Sequence, residues 1–392
     1  MKRFAVSISI LLISICGNAQ GWLEGILREV ESNNPELKAM AAEVDAERIA
    51  NRGEALLQNP EVELGQLWGA EGIGNRHDVR VSQPFDVATI SGLRAGKAAT
   101  LDELSSLRYK AGRIEVLLEA WQTCIELVCC NALLTEMRTH LSQAETLAGS
   151  YQKKMAAGGA TVLDLNKAKI HLASVQGQVN SLETLRNELL ATLRSLNGGI
   201  DIPFEYSNHD IGVDLPESFE EWYQTSASRN PVIEYARAQV SLEERNLAID
   251  KASRLPEFSL GYMSEIRTAE KFRGVTLGVS VPLWNGANKV KRSKAGLAAA
   301  ESRREASERA FRLELEKEYA RALALRENAE MMRSSMAETD NRDFLLTALT
   351  KGEISMVDYL VETDLYYETL QRTMETERDY RKAVATLQSV CL

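Results

Sequence analysis

The sequence predicts a mainly α-helical chain with a membrane β portion: long antiparallel helical hairpins in two tandem repeats, each repeat carrying one β-hairpin. Three observations lead there. Six of the eight prolines form three pairs, Pro35/Pro231, Pro60/Pro256 and Pro84/Pro282, separated by 196, 196 and 198 residues. The stretches 85–202 and 283–392 contain no proline, and because proline breaks helix interiors both are open to long helices. Between the second and third proline of each set the hydrophobic period falls from that of a helix to that of a strand.

The copies agree in residues as well as spacing. Asn34-Pro35 followed by Ala39, Ala41, Ala42, Ala46 and Ala50 is answered by Asn230-Pro231 with Ala236, Ala238 and Ala248. Val81-Ser82-Gln83-Pro84-Phe85-Asp86 is answered by Val279-Ser280-Val281-Pro282-Leu283-Trp284-Asn285. Gly158 followed by Asp164 is answered by Gly352 followed by Asp358, each 194 residues later. A repeat of this length decides the architecture before any local reading does.

Taken in order, the chain opens with Lys2 and Arg3, an apolar run from Phe4 to Cys16, and Gly17-Asn18-Ala19. That is the order of a secretory leader cleaved after Ala19, and 13 apolar residues are fewer than the roughly 20 a spanning helix requires. Ile15 stands where a lipoprotein signal at Cys16 would want a small residue. No later apolar run reads as a membrane-crossing helix. A helix follows from about Pro35 to Gln58, rich in Ala, Glu, Arg and Leu, with proline at its first turn.

From 60 to 86 the pattern is that of a hairpin. Val62, Leu64 and Gln66, then Val79, Val81, Gln83 and Phe85, alternate with Glu61, Glu63, Gly65, Arg80 and Ser82, and Gly69, Gly72, Gly74 and Asn75 make the turn. The second hairpin, 256–284, sets Phe258, Leu260 and Tyr262, then Val275, Leu277, Val279, Val281 and Leu283, against Ser259, Gly261, Thr276, Gly278 and Ser280. Strands of about nine to twelve residues suit a tilted crossing of a bilayer, although the same period also describes a half-buried soluble sheet.

A proline-free helix is then predicted from Val87 to Ala157, about 105 Å at 1.5 Å per residue, with a tip turn at 158–160 and a return helix from Thr161 to Leu196. Residues 198–218, with Asn197-Gly198-Gly199 before them and Pro203 and Pro216 within, read as a linker with one small strand around Phe204–Tyr206. The second copy repeats the plan: helix Pro231–Arg254, hairpin, helix Ala287–Leu349, tip turn 351–353, return helix Ser355–Leu387. The organisation is therefore a leader at 1–19, a first repeat at 20–197, a linker at 198–218 and a second repeat at 219–392.

Composition excludes several functions. The chain of 392 residues carries a net charge of −10 with both signs interspersed, which is not a nucleic-acid surface. Cys124, Cys129, Cys130 and Cys391 match no metal spacing and read as small apolar side chains in helix contacts. His77, His140, His171 and His209 are scattered, Gly69, Gly72 and Gly74 lack the order of a dinucleotide loop, and Met331, Met332 and Met336 read as helix filler. No catalytic, cofactor-binding or metal residue is assigned.

Four strands cannot close alone, and an open edge in lipid leaves polar groups unsatisfied, so copies must combine, two for eight strands or three for twelve. An Asn-Pro helix, a Pro-ended hairpin, a long helix and a Gly-to-Asp tip, all twice over, resemble the TolC family of bacterial outer-membrane efflux proteins. Val81-Ser82-Gln83-Pro84-Phe85 and Val281-Pro282-Leu283-Trp284-Asn285 are most similar to its heavy-metal efflux branch.

The resemblance implies a homotrimer in the outer membrane whose three chains form a twelve-stranded barrel over a periplasmic α-helical cylinder. It implies passive exit of a metal or drug from the periplasm, driven by an inner-membrane RND-type transporter through a periplasmic adaptor (membrane fusion) protein. It places Asp164 and Asp358 at the periplasmic aperture and Gly158, Gly159, Gly352 and Glu353 at the helix tips that meet the adaptor. The chain departs from the family pattern one turn after Asp358, where Val361 stands beside Glu362. The alternative reading is a periplasmic coiled-coil scaffold or adaptor whose hairpins are soluble sheets.

Overall fold

The computed structural model describes residues 21–70, 74–207, 215–225, 230–267, 270–282, 288–339 and 341–392. The leader at 1–19 with Cys16, Gly72 of the first hairpin turn, His209, and Leu283-Trp284-Asn285 lie outside the described residues.

The first copy runs α1 (Gly21–Asn33), α2 (Pro35–Glu54), β1 (Glu61–Leu67), β2 (Arg76–Phe85), α3 (Val87–Ile90), α4 (Leu93–Ala156) and α5 (Val162–Leu196). After a short α6 (Phe219–Thr225) the second runs α7 (Pro231–Ala252), β3 (Glu257–Arg267), β4 (Lys271–Ser280), α8 (Lys289–Thr339), α9 (Arg342–Lys351) and α10 (Met356–Gln388), closed by a 3₁₀ turn at Ser389–Cys391.

Several sequence expectations need correction. The helix expected from Val87 to Ala157 is broken at its start. Asp86 caps α3 by accepting from the Thr89 amide at 3.3 Å, and Gly92, at φ +76°, ends that single turn before α4 begins. Left-handed backbone of this kind is open to glycine at no steric cost. The helix expected over Ala287–Leu349 is likewise divided into α8 and α9, with Asn341 at the head of α9. β1 has 7 residues, short of the nine to twelve expected. Helix α1, with Leu23, Ile26, Leu27 and Val30 buried, and helix α6 had no place in the sequence reading.

The described chain divides into two compact units, each drawn from both copies. The helical unit takes the chain up to Asn34, Leu117–Pro216 and Glu318–Gln388; the sheet-bearing unit takes Pro35–Val116, Glu217–Lys317 and Ser389–Leu392.

In the helical unit, α4 supplies a long buried stripe that includes Leu117, Ala120, Cys124, Ile125, Leu127, Val128 and Leu134. Contrary to the expectation that no later run has membrane-crossing character, one window of α4 is apolar enough, by length and composition, to cross a membrane; most of that window is buried inside the fold, as expected of a core helix. Cys124, Cys129 and Cys130 are free and buried, and burial pushes the Cys124 and Cys129 thiols up to about 12. They pack as small apolar groups, the Cys130 thiol reaching the Leu182 carbonyl at 3.4 Å.

The residues expected as a small strand, Phe204–Tyr206, are not one. They pack on α1 instead, where the Trp22 ring stacks on Tyr206 at 4.4 Å and meets Phe204 edge-on at 5.5 Å. The turn after α5 is held to the end of α1: Asn34 donates to the Leu196 carbonyl at 2.9 Å and Asn33 to the Asn197 side chain at 3.0 Å. Gly198 is obligatory there, because a Cβ would sit 2.6 Å from the Asn33 carbonyl oxygen.

In the sheet-bearing unit the four strands form one antiparallel sheet in the order β1-β2-β3-β4, with β2 and β3 joining the two copies. Its helices pack through Leu104, Leu107 and Ala238, flanked by Leu101, Tyr235 and Leu242. Polar ties between α2 and α4 run from Asn51 to Asp102 at 2.9 Å and from Ser105 and Arg108 to Glu47.

Candidate functional site

Two places in the fold carry functional geometry, and the sheet is the first. Register puts Val62 and Leu64 on β1, Val79 and Val81 on β2, Phe258, Leu260 and Tyr262 on β3, and Val275, Leu277 and Val279 on β4 on one face, paired as Val62↔Val81, Val81↔Tyr262, Tyr262↔Val275 and Leu260↔Leu277. Successive side chains on a strand point to opposite faces, so the other face carries Glu61, Glu63, Arg76, Asp78, Arg80, Glu257, Glu265 and Arg267. That face is laced with ion pairs, Arg76 to Asp78 at 2.8 Å and to Glu265 at 3.2 Å, and Arg80 to Glu63 at 3.1 Å.

The inversion is the telling feature. Every one of the named apolar residues is exposed, Val275 and Leu277 at 76% and 75%. A soluble sheet buries its apolar face on a core and wets the polar one. Here the apolar face is bare, while the charged face satisfies itself within the sheet. The outer edges of β1 and β4 have no strand partner among the described residues.

The second place is the paired helix tips in the helical unit. The α4–α5 turn passes through Gly158 at φ +77°, with the Gly158 amide donating to the Met155 carbonyl at 3.0 Å and the Gly159 amide to Lys154 at 2.8 Å. The second tip repeats this at Gly352, φ +76°, with the Glu353 amide donating to Ala348 at 2.9 Å. Leu147, Ala148, Ala168, Leu349, Met356 and Tyr359 form one buried cluster, so the fold brings both tips together.

Asp164 and Asp358 occupy equivalent positions, three residues into α5 and α10. The Thr161 hydroxyl donates to Asp164 at 2.6 Å, and the Thr161 amide donates to the same oxygen at 3.1 Å; the Asp164 amide returns a bond to the hydroxyl at 3.2 Å. Ser355 and Asp358 reproduce the set at 2.6, 3.2 and 3.1 Å. This reciprocal arrangement is a capping box, and it gives the repeated Gly-to-Asp spacing a local structural cause within a single chain. Hydrogen bonds from the Thr161 side chain and backbone hold the Asp164 carboxyl below its ordinary value.

Beside the caps stand exposed apolar residues: Val162 and Leu163 in the first turn of α5 and Val357 in that of α10, followed one turn later by Val361, the position that departs from the family pattern. Their signal was available, since apolar residues directly after a Thr or Ser cap have no amphipathic reason to face water.

No family model matches the chain. Over 222 residues it is 24% identical to the pyoverdine export outer membrane protein OpmQ of Pseudomonas aeruginosa, a match covering 52% of this chain and 45% of that protein, so the chain spans about half the length of this curated relative. Solved structures agree over nearly the whole fold. The outer membrane channel CmeC of Campylobacter jejuni superposes with a TM-score of 0.72 at 14% identity, covering 94% of this chain and 85% of that one. CusC, described in connection with transmembrane channel formation, gives 0.75 at 16% identity, covering 96% and 95%. With its sheet, its doubled tips and these superpositions, the chain has the fold of the TolC-family outer-membrane efflux channels.

Proposed function

We propose that the chain is the outer-membrane duct of a tripartite efflux system, giving passive exit from the periplasm while an inner-membrane transporter of the RND type supplies the energy through a periplasmic adaptor. The observation that carries this reading is the inverted sheet: an exposed apolar face, an ion-paired polar face and two unpartnered edges. In lipid such a sheet is stable only when its edges pair. Three copies joined β4 to β1 make twelve strands with the apolar face toward lipid and the charged face toward a wet lumen. The chain is then two efflux repeats, 20–197 and 219–392, joined by the linker 198–218, with the leader directing export.

The tips fit the adaptor-facing role. Gly158, Gly159, Gly352 and Glu353 make tight turns with Val162, Leu163 and Val357 exposed beside them, an apolar patch suited to another helical tip. Asp164 and Asp358 are the aperture carboxylates of this reading; three copies would bring together six negative groups, which attract cations and resist simultaneous ionisation. The scaffold alternative is disfavoured because soluble hairpins would not leave Val275, Leu277 and their neighbours bare.

The test is fractionation of cells making the tagged chain, followed by gel analysis of the outer-membrane fraction with and without heating. The expected result is an outer-membrane band that runs as a trimer unheated and a monomer heated. A periplasmic monomer soluble without detergent sinks the duct reading.

A further inference from the structure

Two of the four histidines that look scattered in the sequence meet in the helical unit. His140 on α4, His171 on α5 and Asp364 on α10 place one ligand atom each within 4.8 Å of one another. His140 and His171 lie on the two arms of the α4–α5 hairpin, 18 residues before and 13 after Gly158, and their ring centres are 5.2 Å apart. The Asp364 carboxylate reaches the His171 Nδ1 at 3.5 Å.

His140 is 2% exposed and lies flat on the Tyr367 ring at 3.8 Å. It has both of its ring nitrogens buried without a hydrogen-bond partner among the described residues. Buried polar atoms are rarely left so, and an orphaned one asks for a ligand the fold does not itself supply. His171 is also buried, at 8%, whereas the Asp364 side chain is 63% exposed and opens the cluster to solvent. Burial lowers the His140 value to about 4 and lowers His171 as well, which favours the neutral ring that ligates metals. The neighbouring cation Arg342 is engaged by Glu136 at 3.2 Å and lies over Tyr366.

We propose that His140, His171 and Asp364 form a binding site for one borderline divalent transition-metal ion, of which Zn²⁺ is the type, with water in the remaining position. Two imidazoles and a carboxylate are a donor set suited to Zn²⁺ and its neighbours rather than to Mg²⁺ or Ca²⁺. Zn–N bonds are about 2.0–2.1 Å, which sets tetrahedral donors about 3.4 Å apart, and the His171 Nδ1 and Asp364 oxygens already stand at 3.5 Å. Because the three ligands come from α4, α5 and α10, the ion would clamp the return helix of the second copy to the hairpin of the first. The proposal does not depend on the channel reading.

The test uses the tag-free full chain, purified in detergent and stripped with a chelator, titrated with Zn²⁺ by calorimetry and with Co²⁺ by absorption. The expected result is one ion per chain, the visible bands of tetrahedrally bound cobalt and a raised melting temperature. His140→Ala or His171→Ala should abolish these signals, Asp364→Asn should weaken binding at least tenfold, and His77→Ala should leave it unchanged. Should His140→Ala fail to fold, His171→Gln and Asp364→Asn carry the test. No binding by the wild type, or binding that survives loss of either helical histidine, overturns the site and leaves the cluster as packed aromatic core.

Discussion

The two units of this chain use the same residue types with opposite exposure. In the helical unit Leu127 and Val128 are wholly buried, whereas in the sheet Leu277 and Val275 are bare. Charges invert in step: Arg138 and Glu183 pair at 2.8 Å on the exposed surface of the helices, while in the sheet Arg76, Asp78 and Glu265 pair on the face opposite the apolar one. One unit buries its apolar side chains and exposes its charges, while the other leaves its apolar side chains bare. The lesson is that a period-two pattern specifies two faces without saying which solvent each will meet; that information comes from whether anything covers the apolar one.

The contrast breaks most sharply under substitution of matched leucines. Leu127→Ala leaves a cavity in a closed core and should lower stability by about 2–5 kcal/mol, read as a fall in the unfolding midpoint of the helical unit in any detergent. Leu260→Ala, at a side chain 52% exposed in the sheet, should leave that midpoint within experimental error of the wild type. Equal losses at both positions would mean that the sheet face is covered and the comparison mistaken.

Next in size is Leu277→Lys. On a lipid-facing strand a midplane lysine is unfavourable by about 2–4 kcal/mol, so the trimer band of the outer-membrane fraction should weaken or vanish while the helical unit keeps its melting behaviour. Glu63→Gln on the opposite face removes one exposed partner of Arg80, a pair worth about 0–1 kcal/mol, and should assemble normally. If Leu277→Lys assembles as well as Glu63→Gln, neither face meets lipid.

Much of this fold was legible in the proline spacing, because proline is forbidden where helices are long and tolerated where they begin, so three matched pairs marked three matched boundaries. The remaining boundaries have weaker punctuation. Gly92 breaks the run from Val87 to Ala157 without a proline, and only the Asp86 cap before it and the left-handed turn at Gly92 explain the break. Phe204 and Tyr206 have strand-forming chemistry but are claimed by the Trp22 ring of α1, a helix without a proline to mark its start. The inverted sheet was only half legible: alternation gave the faces, and the exposure of Leu277 needed coordinates. His140 and His171, 18 residues before and 13 after Gly158, are offset by five residues about the turn, so equal spacing from the tip does not pair them.

The smallest effects belong to the tips, where the comparison is between the two copies. Each capping box uses a hydroxyl and a carboxylate, and the two parts can be separated. Thr161→Ala with Ser355→Ala removes both hydroxyls and keeps both carboxylates; losing a cap costs about 0.5–2 kcal/mol, so the melting temperature should fall modestly while single-channel conductance stays at the wild-type value. Asp164→Asn with Asp358→Asn removes the charges instead, and if these groups form the aperture the closed-state leak should rise.

Acid offers an independent reading of the first tip. The lowered Asp164 value means that its cap contribution is fully present above the ordinary value of 3.8 and is lost as pH falls through the lower folded value. Stability gained from this carboxylate is therefore unchanged at neutral pH and declines only in strong acid. An unaltered leak in the double asparagine variant, with a lowered melting temperature, would leave both aspartates as helix caps alone and move the aperture to other residues.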